Sequence, residues 1–188
     1  MTAVRTFLNN IRGTDGVPRI SKAAAERGES ICGFCCAKDF CAIAVDEGLQ
    51  ECPEAVLPIK FNTMKGTEDR FSTIRFGKSF SDRLRPGSII GLFNTETGSV
   101  EGFAEVEEAI CLDREDALTR GAENNHTNDP TKPVEDRRHK LWRTVRNSYG
   151  SYTTRDDALF THIECRRLTD EELKRFEETW PVDFIAEG

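Results

Sequence analysis

A chain of 188 residues that is 37% hydrophobic, with 12 Phe, suffices for one ordinary domain and a small appendage. No run approaches the roughly eighteen consecutive apolar residues of a membrane-spanning helix, and a formal net charge of −7 excludes a protein that coats nucleic acid indiscriminately. The opening "MTAVRTFLNNIRG" lacks the apolar block of a secretory signal, which makes the cytoplasm the expected compartment.

Residues 1–29 are polar, and Gly13, Gly16 and Pro18 separate two short helical stretches, 3–11 and 20–27. Residues 30–59 carry five of the seven cysteines as Cys32-x2-Cys35-Cys36-x4-Cys41-x10-Cys52, and end in "PEAVLPIKF", whose two prolines forbid a helix interior. Cytosolic thiols stay reduced, so disulfides are not expected. A Cys-x2-Cys pair at a turn supplies two ligands for tetrahedral zinc, and Cys41 and Cys52 would supply the others, although that second pair lacks the matching spacing. Buried thiols, or a redox pair at Cys32 and Cys35, account for the same residues. No organic cofactor is expected.

From Phe71 the period turns to two. "FSTIRF" places Phe71, Thr73 and Arg75 on one face and Ser72, Ile74 and Phe76 on the other. "SIIGLF" (88–93) follows the Pro86-Gly87 turn, and "NTETG" links it to "SVEGFAEVEEAICL" (99–112), which predicts a hairpin. In its second strand Val100, Gly102, Ala104 and Val106 share a face against Glu101, Phe103, Glu105 and Glu107. "LDREDALTRG" has helix signals at both ends, with Asp113 as cap and Gly121 as stop. The polar loop "AENNHTNDPTKP" leads to a helix, "VEDRRHKLWRTVRNSYG", with Leu141, Trp142 and Val145 inward and a basic outer face. "ALFTHIECRRL" (158–168) reads as a strand with Leu159, Thr161, Ile163 and Cys165 on one side, Cys111 and Cys165 being core candidates. A last helix starts at the capping box Thr169-Asp170-Glu171-Glu172 and buries Leu173, Phe176 and Trp180. Mostly sequential strands with helices inserted late predict an α+β fold, a small mixed β-barrel with packed helices and an N-terminal Cys-rich appendage. The expected boundaries are 1–59 for the appendage and 60–188 for the barrel domain with its C-terminal helix.

Charge is sorted along the chain. Residues 60–93 hold seven Lys/Arg against three acids, residues 94–131 two against ten, and residues 132–146 six against two. A local cationic site in an acidic molecule is therefore available, and so is a set of solvated faces. Thr73 and Arg75 project together from one strand, a hydroxyl beside a guanidinium, which suits a phosphate, a carboxylate or a base carbonyl. Lys78 and Arg83 follow on the linker. Glu123 and Asn125, in "GAENNH", offer an acid/base group and an amide that can read a base edge, though Asn-rich loops also arise for turn reasons alone. Arg138 and Arg143 lie on the basic helix, where a row of cations fits phosphate contact or a solvated face equally.

The alternation, the Thr73-Ile74-Arg75 triplet, "LRPGSIIGLF", the run Gly102-Phe103-Ala104-Glu105-Val106 and "ALFTHIECRRL" together resemble an ASCH domain over Lys60–Leu168. That family belongs to the PUA-like barrels. The resemblance implies a cleft on the barrel that receives RNA or a modified nucleoside. In the members that hydrolyse acetylcytidine, a Lys three residues before the Thr, the Thr itself and a later Glu form the site. The resemblance thus gives catalytic roles to Thr73 and Glu123, but puts Arg70 at the Lys position, and an arginine, which stays protonated in proteins, accepts no proton near neutrality. Lys65 would replace it only if its loop folds back. The leading expectation is RNA or nucleotide binding, with Arg70, Thr73 and Arg75 in the cleft. The alternatives are an amidohydrolase or ribonuclease centred on Thr73 and Glu123, and an adaptor whose acidic surface meets a protein partner.

Overall fold

The computed structural model describes residues 22–35, 49, 50, 52 and 56–179. The expected 3–11 helix, Cys41 and Trp180 lie outside the described residues, as does the side chain of Phe176. The elements in order are α1 (Lys22–Glu26), β1 (Leu57–Phe61), β2 (Arg70–Phe76), β3 (Ile89–Asn94), β4 (Ser99–Leu112), α2 (Arg114–Asn124), α3 (Val134–Tyr149), β5 (Phe160–Arg167) and α4 (Asp170–Thr179). The protein is mixed α+β with a five-stranded sheet, in the hydrogen-bonded order β1-β3-β4-β5-β2. Among the described residues no helix is long and apolar enough to cross a membrane.

The chain divides into two compact units that interleave in sequence: Met1–Thr63, Ile89–Ala104 and Leu168–Gly188 form one, Met64–Ser88 and Glu105–Arg167 the other. The expected boundary after residue 59 falls inside the first unit, within β1.

In the first unit β1 pairs parallel with β3, from Leu57 opposite Ile90 to Phe61 opposite Asn94. The prolines of "PEAVLPIKF" exclude a helix interior, as expected, and the segment forms a strand, although Pro58 lacks the N–H that a ladder needs. It stands at the end of the strand order, where a missing donor can face away from the partner strand. The β3–β4 hairpin forms as the alternation and turn residues predict, with Gly98 N–H donating to the Asn94 carbonyl at 2.9 Å. Cys35, Val56 and Phe103 make one buried cluster among the described residues of this unit, with Ile89, Val100, Leu168 and Leu173 packed against it. The predicted box at α4 is present, Thr169 N–H donating to Glu172 Oε2 at 2.9 Å and Glu172 N–H to Thr169 Oγ1 at 3.2 Å.

In the second unit β2 and β5 run antiparallel from Arg70 opposite Arg166 to Phe76 opposite Phe160. Ile74, Ala117, Leu118, Leu141, Val145, Ala158 and Phe160 form its buried core, ringed by Phe76, Leu112, Trp142 and Tyr149. Gly121 lets α2 approach closely, since a Cβ there would stand 2.5 Å from Ile74 Cδ1 and 2.6 Å from Leu141 Cδ2. Cys165 is buried as expected, whereas Cys111 is exposed: it lies near the end of the long strand β4, where the alternation no longer turns it inward.

Asp113 caps α2, its Oδ1 accepting from Asp116 N–H at 2.9 Å. Asp113→Ala is expected to lower unfolding free energy by about 1 kcal/mol, read as a shift of the urea midpoint at constant slope. An unchanged midpoint would show that the cap contributes nothing.

Candidate functional site

The β2–β5 register fixes which side chains can meet. Phe71, Thr73 and Arg75 lie opposite Cys165, Ile163 and Thr161 on one face, while Arg70, Ser72 and Ile74 lie opposite Arg166, Glu164 and His162 on the other. Thr73 is buried and Arg75 half-buried. The Arg75 charge is felt by its neighbours. Burial, reinforced by the Arg75 guanidinium and by Lys140, drives the His126 ring down to about 4 against the pull of the Ser72 carbonyl. Burial also pushes the Cys165 thiol up to about 12, with Arg75 opposing.

Arg70 does not join Thr73 and Arg75. It begins β2 rather than preceding it, so alternation turns it to the other face, where it is exposed and pairs with Glu107 at 3.0 Å.

Residues 77–88 return over the end of β5. Gly77 N–H donates to the Leu159 carbonyl at 2.8 Å, Thr161 Oγ1 donates to the Gly77 carbonyl at 2.7 Å, and Ser81 N–H reaches Thr161 Oγ1 at 3.4 Å. This places the loop beside the residue that lies opposite Arg75. Its three cations do different things. Lys78 stands 3.7 Å from Asp82 at the surface. Arg85 donates to the carbonyls of Ser81, Asp82 and Leu84, closing its own turn. Arg83 turns inward and is only 9% exposed. Its Nε donates to the Ser79 carbonyl at 2.8 Å, Nη1 is buried with no hydrogen-bond partner, and burial lowers its pKa.

Glu123 is exposed on α2, and its carbonyl accepts from Arg137 at 2.8 Å. Among the described residues no hydrogen bond links it to Thr73. The next residue, Asn124, accepts from the Ser72 hydroxyl at 2.7 Å, on the face away from Thr73. Asn125 is buried, and its Oδ1 accepts from the Thr127 N–H and hydroxyl at 3.1 and 2.9 Å, so that oxygen is engaged in the turn. On α3, Arg138 pairs with Glu115, Lys140 donates to the Thr127 carbonyl at 2.6 Å, and Arg146 lies over Trp142. Arg143 is exposed. Most cations of this helix thus fasten the fold, and Arg143 is left to face solvent.

Of the cysteine set, Cys32 is half-buried, Cys35 and Cys52 are buried, and the Cys35 sulfur accepts from Val56 N–H at 3.4 Å. The one group of metal-ligating donors that the described residues bring within 4.8 Å of one another is elsewhere: Glu108, His162 and Glu164. His162 is fully buried, and burial drives its ring to about 4, with Arg120 adding to the effect and Glu108 opposing. The His-x-Glu spacing in "FTHIECRR" already places two of these on one strand face; Glu108 has no comparable signal, because its side depends on how β4 is paired.

By fold this is a mixed α+β protein with a five-stranded sheet, on one strand of which a buried Thr73 lies beside a half-buried Arg75. Comparison with family models, with curated proteins and with solved structures finds no match to this chain.

Proposed function

We propose that the chain binds an anionic ligand of the RNA or nucleotide class through the Thr73–Arg75 face of β2 and the adjoining loop 77–88. Arg83 carries the reading: it is a buried guanidinium whose Nη1 has no hydrogen-bond partner and which forms no ion pair with any described carboxylate. Buried cations are ordinarily paired, because desolvating one without a partner is costly. A phosphate suits the planar donor fork of arginine. Arg70, at the position where acetylcytidine hydrolases of the resembled family carry lysine, is held by Glu107, which supports binding over turnover.

Binding of a fluorescent single-stranded RNA, followed by anisotropy, tests this. Affinity is expected to fall steeply with salt, with a log–log slope of about −0.7 per phosphate engaged. Arg83→Met is expected to weaken binding roughly tenfold to a hundredfold, the range of one charge-assisted hydrogen bond of about 1.5–3 kcal/mol. The same variant should unfold no more easily than the parent, because the charge it removes is desolvated and only partly offset by the Ser79 carbonyl and the Asp82 charge. Unchanged RNA affinity in Arg83→Met, or no RNA binding at low salt, rejects the proposal.

A further inference from the structure

A second site lies on the opposite face of the β2–β5 pair. On β5, His162 and Glu164 are two residues apart and share the face of Arg166. On β4, Glu105 reaches Arg166 at 2.7 Å and Glu107 reaches Arg70 at 3.0 Å, and one carboxylate oxygen of Glu108 lies within 4.8 Å of donor atoms of His162 and Glu164.

His162 is 0% exposed, and neither Nδ1 nor Nε2 has a hydrogen-bond partner. Glu164 Oε1 is nearest at 3.9 Å from Nδ1, beyond hydrogen-bond reach. A neutral imidazole carries one N–H donor and one lone pair, and a buried ring normally satisfies them. A ring nitrogen of His162 lies within 4.8 Å of a carboxylate oxygen of both Glu108 and Glu164. Arg120 Nη1 holds Glu108 Oε2 at 2.5 Å and leaves Oε1 available; such a contact orients a ligating carboxylate from behind.

We propose that Glu108, His162 and Glu164 form a binding site for one first-row divalent cation, of the zinc, cobalt or manganese kind. One imidazole nitrogen and two carboxylate oxygens suit these ions, whereas magnesium and calcium prefer oxygen alone. Ligands at about 2.0–2.2 Å from a tetrahedral ion stand about 3.3–3.6 Å apart. Rotation of the two half-exposed glutamates supplies the contraction from the present spacing, with His162 held in place by its burial. Three protein ligands leave at least one coordination position for water or an anion.

The test is a Co²⁺ titration of the full chain near neutral pH, followed by visible absorption and calorimetry. The expected result is one Co²⁺ per chain with ligand-field bands, no thiolate-to-cobalt charge-transfer bands, and displacement by Zn²⁺. Glu164→Gln, at a half-exposed position, is expected to weaken Co²⁺ binding at least tenfold. His162→Gln is expected to abolish it while far-ultraviolet circular dichroism stays unchanged. If His162→Gln does not fold, Glu164→Gln decides. No binding by the parent chain overturns the assignment, and so does binding that Glu164→Gln leaves unaltered. Charge-transfer bands as the sole signal would place the ion on the cysteines and overturn it equally.

Discussion

Gly66→Ala is expected to lower unfolding free energy by roughly 3–5 kcal/mol, enough to threaten a domain of ordinary stability. Gly66 has φ +82°, and a Cβ built there would stand 2.1 Å from the His126 carbonyl oxygen and 2.9 Å from its carbon. The obstacle is backbone, so no rotamer change relieves it. That backbone is itself fixed: His126 N–H donates to the Ser72 carbonyl at 3.0 Å, and Asn125 bridges Ser72 in parallel. To admit a methyl group, either the turn at 64–67 must lose the 3.1 Å bond from Thr67 N–H to the Met64 carbonyl, or the 125–128 segment must leave the edge of β2. Gly87→Ala is the control. It has φ +88° but open space about its Cβ, so it should show only the backbone cost of about 1–2 kcal/mol. Urea unfolding of the two variants separates these terms, and equal losses would refute the close approach at Gly66.

Stability is expected to fall as pH drops from 6.5 to 4, with His126 as one identifiable cause. The folded ring titrates near 4 because burial, the Arg75 guanidinium and Lys140 all oppose its protonation; in the unfolded chain the ordinary value of about 6.5 returns. Between these values the unfolded state binds the additional proton. Stability therefore rises with pH across the window, is fully present above 6.5, and is lost on descending towards 4. A separation of about 2.5 units corresponds to about 3 kcal/mol. His126→Gln removes the titration and keeps a donor near the Ser72 carbonyl, which Nδ1 approaches at 3.3 Å. Other titrating groups act in both proteins, so the difference between their pH profiles isolates this ring. Parallel profiles between pH 6.5 and 4 would show that the folded ring is not held neutral.

Much of the second unit was legible from residue order. The period of two in "FSTIRF" and "ALFTHIECRRL" places Thr73 with Arg75 and Thr161 with Ile163, as the register bears out. Leu141 and Val145 are buried as the helical period requires. Arg70 was harder to place, because its face depends on whether β2 begins at residue 70 or 71, and strand ends are set by pairing with β5. Arg83 gives no sequence signal of its burial, since it sits in a polar loop whose path is decided by hydrogen bonds to Thr161 and Leu159, far along the chain.

The sequence by itself determined the elements that local periodicity and capping encode: the hairpin, the Asp113 and Thr169 caps, the basic helix and the two strand faces of β2. Tertiary structure alone decided which cations are held by partners within the protein. Arg138 meets Glu115, Arg70 meets Glu107, and Arg85 meets its own loop carbonyls, and none of these partners is implied by a charge count. It alone also brought Glu108 beside His162 and the His126 backbone against Gly66. The physical reason is the same in each case. Alternation and capping are properties of neighbouring residues, whereas a strand's register and a side chain's distant partner depend on segments 52 to 96 residues apart, which meet only once the chain has folded.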